Sequence, residues 1–267
     1  MRLFLLALCA AGLTACQTPT DATEPTDDAA VTVTTAADYP AALTAVFDAH
    51  GGLDAWRSQR QLGYDIVRGE QTEYQMVDLH DRREYVRQPG KESGAYVEQG
   101  YDGDRLWTTA DTSAQGNPKF YQGLMFYFYA MPWVLADPGI VYTEADPLTF
   151  GDVSYPGILI SYNDGVGYSP KDNYRLHYDP DTKRMRWLGY TVTGRSDKRS
   201  DKFSWIEYPT WSAHNGVALP DSLVWYTVED NQPVAPRNTR AFTSVTLSAQ
   251  PPAAERFAMP TGGRVVE

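Results

Sequence analysis

Four histidines, three close carboxylate pairs and one mixed-charge run are the residues of this chain best equipped for chemistry. His50, His80, His177 and His214 fall in no HxxxH, HExxH or HxH spacing, so no zinc signature exists. His50 ends a helical stripe beside Gly51-Gly52 and is expected to be packed and hydrogen-bonded. His177 is expected to alternate outward from a strand, and His214 to sit in the turn before Asn215-Gly216. Paired acids can run acid–base hydrolysis when they face each other at a set separation. Asp102 with Asp104, Asp179 with Asp181 and Glu229 with Asp230 each sit beside Gly, Pro or Asn, where turn hydrogen bonding is the commoner reason for an acid. There is no G-x-S-x-G, no phosphate-cradling glycine loop and no calcium loop. The run GRSDKRSDK, residues 194–202, mixes both signs as a solvated hairpin tip does. Its alternative reading is recognition of an anionic headgroup or partner.

Cysteine offers one more reaction. Arg2 opens the chain, Leu3 to Gly12 form an apolar run too short to span a bilayer, and Leu13-Thr14-Ala15 lead into Cys16. The pattern resembles the lipobox of bacterial lipoproteins, with residues 1–15 as signal peptide and Cys16 acylated as the first mature residue. An ordinary secretory signal cut nearby is the plainer alternative. Cys9 lies inside the apolar run, so the mature domain keeps no thiol for a disulfide, a zinc site or a nucleophile. Residues 16–38 follow, rich in Thr, Ala, Asp and Pro, and read as a disordered tether. Such a coil spans roughly 25 Å root-mean-square.

The formal net charge is −11, and removing residues 1–15 takes away Arg2 alone, leaving −12. A chain this acidic lacks the basic surface that nucleic acid requires. Its tie to the membrane would be the lipid on Cys16.

Residues 39–267 show no internal repeat and read as one domain. Leu43, Val46, Phe47 and His50 make a helical stripe, and Leu53 with Trp56 a second short one. From Leu62 the period becomes that of strands, which are expected at 72–80, 83–88, 94–99 and 104–109, then at 153–162, 173–178, 184–193, 202–208, 222–229 and 240–247. Asp102-Gly103, Asp179-Pro180-Asp181 and Asn215-Gly216 mark turns, and such short connections favour antiparallel pairing. Between the strand groups, residues 118–139 read PKFYQGLMFYFYAMPWVLADPG, apolar around the whole circumference of any helix built there. A helix of that kind must be covered on all sides. Pro132 and Pro138-Gly139 would bend and end it. Phe126, Tyr127, Tyr129, Met131 and Trp133 are the candidate walls of an apolar ligand site, or else plain core.

Four segments taken together resemble a family of uncharacterised bacterial lipoproteins, the DUF6503 group. They are His50-Gly51-Gly52 with Trp56, Asp102-Gly103-Asp104-Arg105-Leu106-Trp107, AMPWVLADPG at 130–139 and VGYSPKDNYRLHYDPDTKRM at 166–185. That group is similar in fold to the LolA/LolB-like superfamily of lipoprotein carriers. The resemblance implies an α+β fold: a strongly curved antiparallel sheet, an incomplete β-barrel, with helices packed in its concave face. In the carriers that hollow receives acyl chains.

The expectation is thus a monomeric lipoprotein of the cell envelope, anchored at the outer membrane through Cys16. It would bind a lipid, acyl chain or other apolar ligand without catalysis, metal or cofactor. Two alternatives stand: an interaction module with a filled core, and a hydrolase with a dispersed active site.

Overall fold

Apolar–polar alternation and tight polar turns give this chain a meander of strands rather than crossovers. The computed structural model describes residues 39–92, 94–110, 117–163, 171–193 and 199–267, all within one compact unit, Thr34–Glu267. Cys16, the signal segment and the tether lie outside the described residues, as do residues 194–198 of the mixed-charge run.

Helices α1 (Ala41–Ala49) and α2 (Leu53–Arg57) come first. A first meander follows: β1 (Gln61–Arg68), β2 (Gln71–Asp78), β3 (Glu84–Pro89), β4 (Tyr96–Tyr101) and β5 (Leu106–Thr108). The aromatic segment holds α3 (Pro118–Tyr121), α4 (Leu124–Tyr129) and a 3-10 turn, Trp133–Ala136. A second meander contains β6 (Ile140–Phe150), β7 (Val153–Tyr162), β8 (Tyr174–Tyr178), β9 (Met185–Tyr190) and β10 (Ser204–Glu207). The small hairpin of β11 (Trp211–His214) and β12 (Val217–Pro220) precedes β13 (Ser222–Glu229), β14 (Gln232–Ser248) and the short β15 (Arg264–Val265).

Thirteen strands form one sheet in the order β15-β5-β4-β3-β2-β1-β14-β13-β10-β9-β8-β7-β6, with antiparallel neighbours throughout. The sheet does not close; β15 and β6 are its edges. The fold is therefore mostly antiparallel sheet with few helices. One face carries the main core, where Leu62, Ile66, Leu176, Leu188 and Ile206 of the strands pack with Phe47, Trp56, Phe128 and Trp133 of the helical segments.

Gly51 accounts for part of the His-Gly-Gly motif. Its φ is +115°, and an added Cβ would lie 2.0 Å from the Gly216 carbonyl oxygen. The end of α1 is thereby pressed against the β11–β12 hairpin, where Ala218 N donates to the His50 carbonyl at 2.7 Å.

Three expectations need correction. The aromatic segment is three short helical pieces, because Gly123 takes a left-handed φ of 67° and Pro132 follows within three residues of the end of α4. Residues 140–150, which the sequence pattern assigns to no element, form the 11-residue strand β6. Pro147 sits at a register shift between Ala145 and Leu148, a place where a strand tolerates proline. His177 does leave the main core by alternation, yet only 1% of its surface is exposed. The sheet is dry on both sides here: Leu148, Tyr155, Trp187, Phe203, Trp205 and Tyr226 make a second core opposite Leu188 and Ile206. His177 packs against Trp205 at 5.6 Å between ring centroids.

Candidate functional site

The polar residues that matter most sit inside, on the helix-covered face of the first meander. Register places Tyr64 of β1 opposite Gln75 of β2, Gln75 opposite Val86 of β3, Val86 opposite Gln99 of β4, and Gln99 opposite Thr108 of β5. Residues directly opposite share a face, so this row crosses the sheet beneath the helical segment. Glu73 lies opposite core residue Ile66, and Glu84 opposite core residue Val77, on that same face.

A hydrogen-bond chain links Tyr64, Gln75 and Glu73 with Tyr121 and Arg68. Tyr64 Oη donates to Gln75 Oε1 at 2.6 Å, and Gln75 Nε2 donates to Glu73 Oε1 at 2.6 Å. Tyr121 Oη of α3 donates to the same Glu73 oxygen at 2.6 Å, while the Arg68 guanidinium pairs with Glu73 Oε2 at 2.9 Å. Arg68 also donates to Tyr121 Oη. Beyond it, Gly123 N donates to Glu84 Oε2 at 3.0 Å. The two buried carboxylates therefore fasten the α3–α4 segment to the sheet. Burial pushes the Glu84 carboxyl up to about 7, the Glu73 charge adds to the rise, and the Gly123 N–H opposes it.

Helix α3 begins where Asn117 Oδ1 accepts from Lys119 N at 3.0 Å and Pro118 takes the first helical position. None of its four residues is buried, and Phe120 is 52% exposed. Between α3 and the edge of the meander lies a cleft of about 230 Å³. Gln99, Thr108 and Val97 form its floor, and Arg68, Tyr121 and Phe120 its walls. On two of the lining residues a buried donor has no partner: Gln99 Nε2 and Arg68 Nε.

A second cleft, about 550 Å³, lies by the β8–β9 turn and is lined by Arg184, Met185, Arg186, Tyr208 and Trp211 among others. Arg186 there is held by the Pro209 carbonyl at 2.9 Å and by Glu207. Asp179 Oδ1 accepts from Asp181 N, Thr182 N and the Thr182 hydroxyl, so this acid serves its turn. Asp102 does the same for Asp104 N and Arg105 N.

The five aromatic-segment candidates pack together under the sheet but line neither cleft. Trp133 is fully buried, stacked 6.0 Å from Phe47 and 5.6 Å from Trp56. Tyr129 stacks on Phe242 at 3.9 Å, and Met131 is fully buried. Phe126 lies under the Arg82 guanidinium at 5.0 Å, and the half-buried Tyr127 meets the Tyr162 hydroxyl. His50, as expected, is packed: Nδ1 bonds the Val46 carbonyl at 2.7 Å, and burial lowers its pKa to about 4. Among the described residues no group of three His, Cys, Asp or Glu is arranged to hold a metal, and no helix is long and apolar enough to cross a membrane.

The sequence pattern predicts the strands carrying Glu73, Glu84 and Gln99 without marking their inward polar residues as a site. Parity was the available signal, since Glu73 and Gln75 share a face with Val77 in QTEYQMVD.

No family model matches the chain, and no curated protein matches its sequence. The DUF6503 resemblance thus rests on the four segments alone, and residues 166–170 of the last lie outside the described residues. Among solved structures, the fold is similar to a LolA superfamily protein from Nitrosomonas europaea, with TM-score 0.44 and 8% identity over 75% of this chain and 89% of that one. It is also similar to a DUF1329 family protein from Desulfovibrio piger, with TM-score 0.43 and 12% identity over 76% of this chain and 92% of that one. Both likenesses are in fold, and at these scores neither carries a function to this chain.

Proposed function

We propose that this chain is an envelope lipoprotein, acylated at Cys16, that binds an apolar or amphipathic ligand without catalysis between its sheet and the helices on the sheet's concave face. The cleft beside α3 is the observation that carries this reading: the sheet supplies its floor, a helix with no buried residue supplies one wall, and exposed Phe120 lies at that wall. Concave sites with apolar walls and a few placed polar groups are where small molecules bind. Phe126, Tyr127, Tyr129, Met131 and Trp133 are then the apolar backing of the hollow, reached by an acyl chain only where the α3–α4 segment gives way. The Glu73 oxygens already accept from Gln75, Tyr121 and Arg68, which favours a structural carboxylate over a general base.

The filled-core interaction module is the second reading, favoured by the burial of Trp133 between Phe47 and Trp56. Native mass spectrometry of the exported Cys16→Ser protein separates the two. An added mass that leaves on denaturation and proves to be a lipid or fatty acid supports binding. A bare mass that stays bare after incubation with envelope-lipid vesicles refutes it and leaves the module. Fractionation tests the anchor: wild type is expected with membranes and Cys16→Ser in the soluble fraction.

A further inference from the structure

Arg240 of β14 is a half-buried arginine without a carboxylate, in a chain with 34 acidic residues for 23 basic ones. Register fixes the face it occupies. It lies opposite Leu223 of β13, a fully buried core residue, and two positions along β14 from Phe242, which lies opposite core residue Ile66. Arg240 therefore stands on the helix-covered face of the sheet. Val67 pairs with Ala241, so Arg68 and Arg240 come next on their strands, two like charges side by side. Such a pair is unfavourable across a sheet. Glu73 offsets Arg68 at 2.9 Å, and among the described residues no acid does this for Arg240. Burial lowers the Arg240 pKa first, and the Arg68 charge lowers it further.

The guanidinium is held at one corner only. Nη1 donates to Asn238 Oδ1 at 2.6 Å and to the Thr239 carbonyl at 3.1 Å. Nε and Nη2 have no partner among the described residues, and both remain open to solvent. Those two nitrogens share an edge whose parallel N–H groups fit two oxygens of a carboxylate or phosphate. The neighbouring surface is aromatic. Asn238 lies opposite Trp225, which is partly buried and meets Phe128 at 6.2 Å between ring centroids. Trp225 Nε1 donates to Tyr190 Oη at 3.1 Å, so this indole has spent its polar group and offers apolar surface alone. A cationic fork beside an apolar ring suits a molecule with an anionic head and an alkyl tail.

We infer that Arg240 binds the oxyanion head of an amphipathic ligand through Nε and Nη2, with Asn238 orienting the guanidinium and Trp225 flanking the first carbons of the tail. The inference rests on the binding reading above and names the head-group chemistry of its ligand. Carboxylate and phosphate heads share this chemistry, and separate probes tell them apart.

The experiment titrates five probes into the exported Cys16→Ser protein, with calorimetry for affinity and the ¹⁵N resonance of Arg240 Nε as a local readout. The probes are octanoate, octyl phosphate, uncharged octyl glucoside, and the tail-less acetate and inorganic phosphate. Octanoate or octyl phosphate, or both, should bind more tightly than octyl glucoside and than the tail-less anions, and should shift the Arg240 resonance. Arg240→Gln should weaken the anionic amphiphiles about tenfold and leave octyl glucoside unchanged. Arg240→Lys keeps the charge without the fork and should fall between. Matching urea midpoints would show that Arg240→Gln still folds; if it does not, the wild-type resonance decides alone. Octyl glucoside binding as tightly as the anionic amphiphiles overturns the oxyanion assignment and spares the binding reading. So does an affinity unmoved by Arg240→Gln, or an Arg240 resonance unmoved by the probes. Inorganic phosphate binding as tightly as octyl phosphate overturns the amphipathic ligand and makes this a site for a free anion. Failure of all five probes to bind wild type refutes the inference and the binding reading together.

Discussion

Glu84 offers the sharpest physical test of the buried network. In the folded protein its carboxyl titrates at about 7, against 4.5 for the free side chain. Between those values the folded state holds a proton that the unfolded state has lost, so stability falls as pH rises through the window. At 1.36 kcal/mol per pH unit the whole window is worth roughly 3 kcal/mol, most of it expressed between pH 5 and pH 8. Glu84→Gln keeps an oxygen to accept from Gly123 N and removes the titration. Urea unfolding of wild type and variant at a series of pH values isolates this one group, because the other ionisations are common to both. The variant should gain on wild type by roughly 2–3 kcal/mol from pH 5 to pH 8. Parallel pH profiles would refute the argument and mean that Glu84 is solvated or paired in a way that leaves its acidity ordinary.

Trp133→Ala should cost about 3–5 kcal/mol in urea unfolding, the range for deleting a buried aromatic, since Phe47 and Trp56 both stack on it. A loss below about 1 kcal/mol would show that the ring does not hold the core. Burial lowers His177 to about 4 from 6.5, so the folded state resists a proton that the unfolded state accepts. Stability should therefore decline as pH falls from 6.5 toward 4, and His177→Phe should flatten part of that decline; an unchanged slope would refute its burial as a neutral ring.

What the sequence disclosed follows from how locally each element is specified. The stripe of Leu43, Val46 and Phe47 needs only 3.6-residue spacing to declare α1, and Asn215-Gly216 declares its turn through positive φ at both positions, 48° and 81°. Strand β6 was hidden because Glu144, Asp146 and Pro147 give it the composition of a loop, and its partner β7 rescues it through long-range pairing. The second core was hidden for a related reason. Alternation assigns Trp187 and Trp205 to the side away from Leu188 and Ile206, but nothing local says that side is also covered. The α3 cleft was illegible because Gln99, Arg68 and Phe120 come from three distant segments. Only the register of β1 through β5 brings them together.

Strand β14 has a consequence for how the molecule is made. Among the described strands it and β13 join the two meanders, β14 pairing with β1 and β13 with β10. Both meanders can assemble from neighbouring hairpins as they emerge, yet their junction waits for residues 232–248, which follow both in the sequence. A product cut short before Gln232 would hold β1 and β13 as two bare edges, each a row of unpaired amides and carbonyls open to aggregation or proteolysis. The order of the strands thus leaves the two halves of the sheet without their shared neighbour until β14 is made.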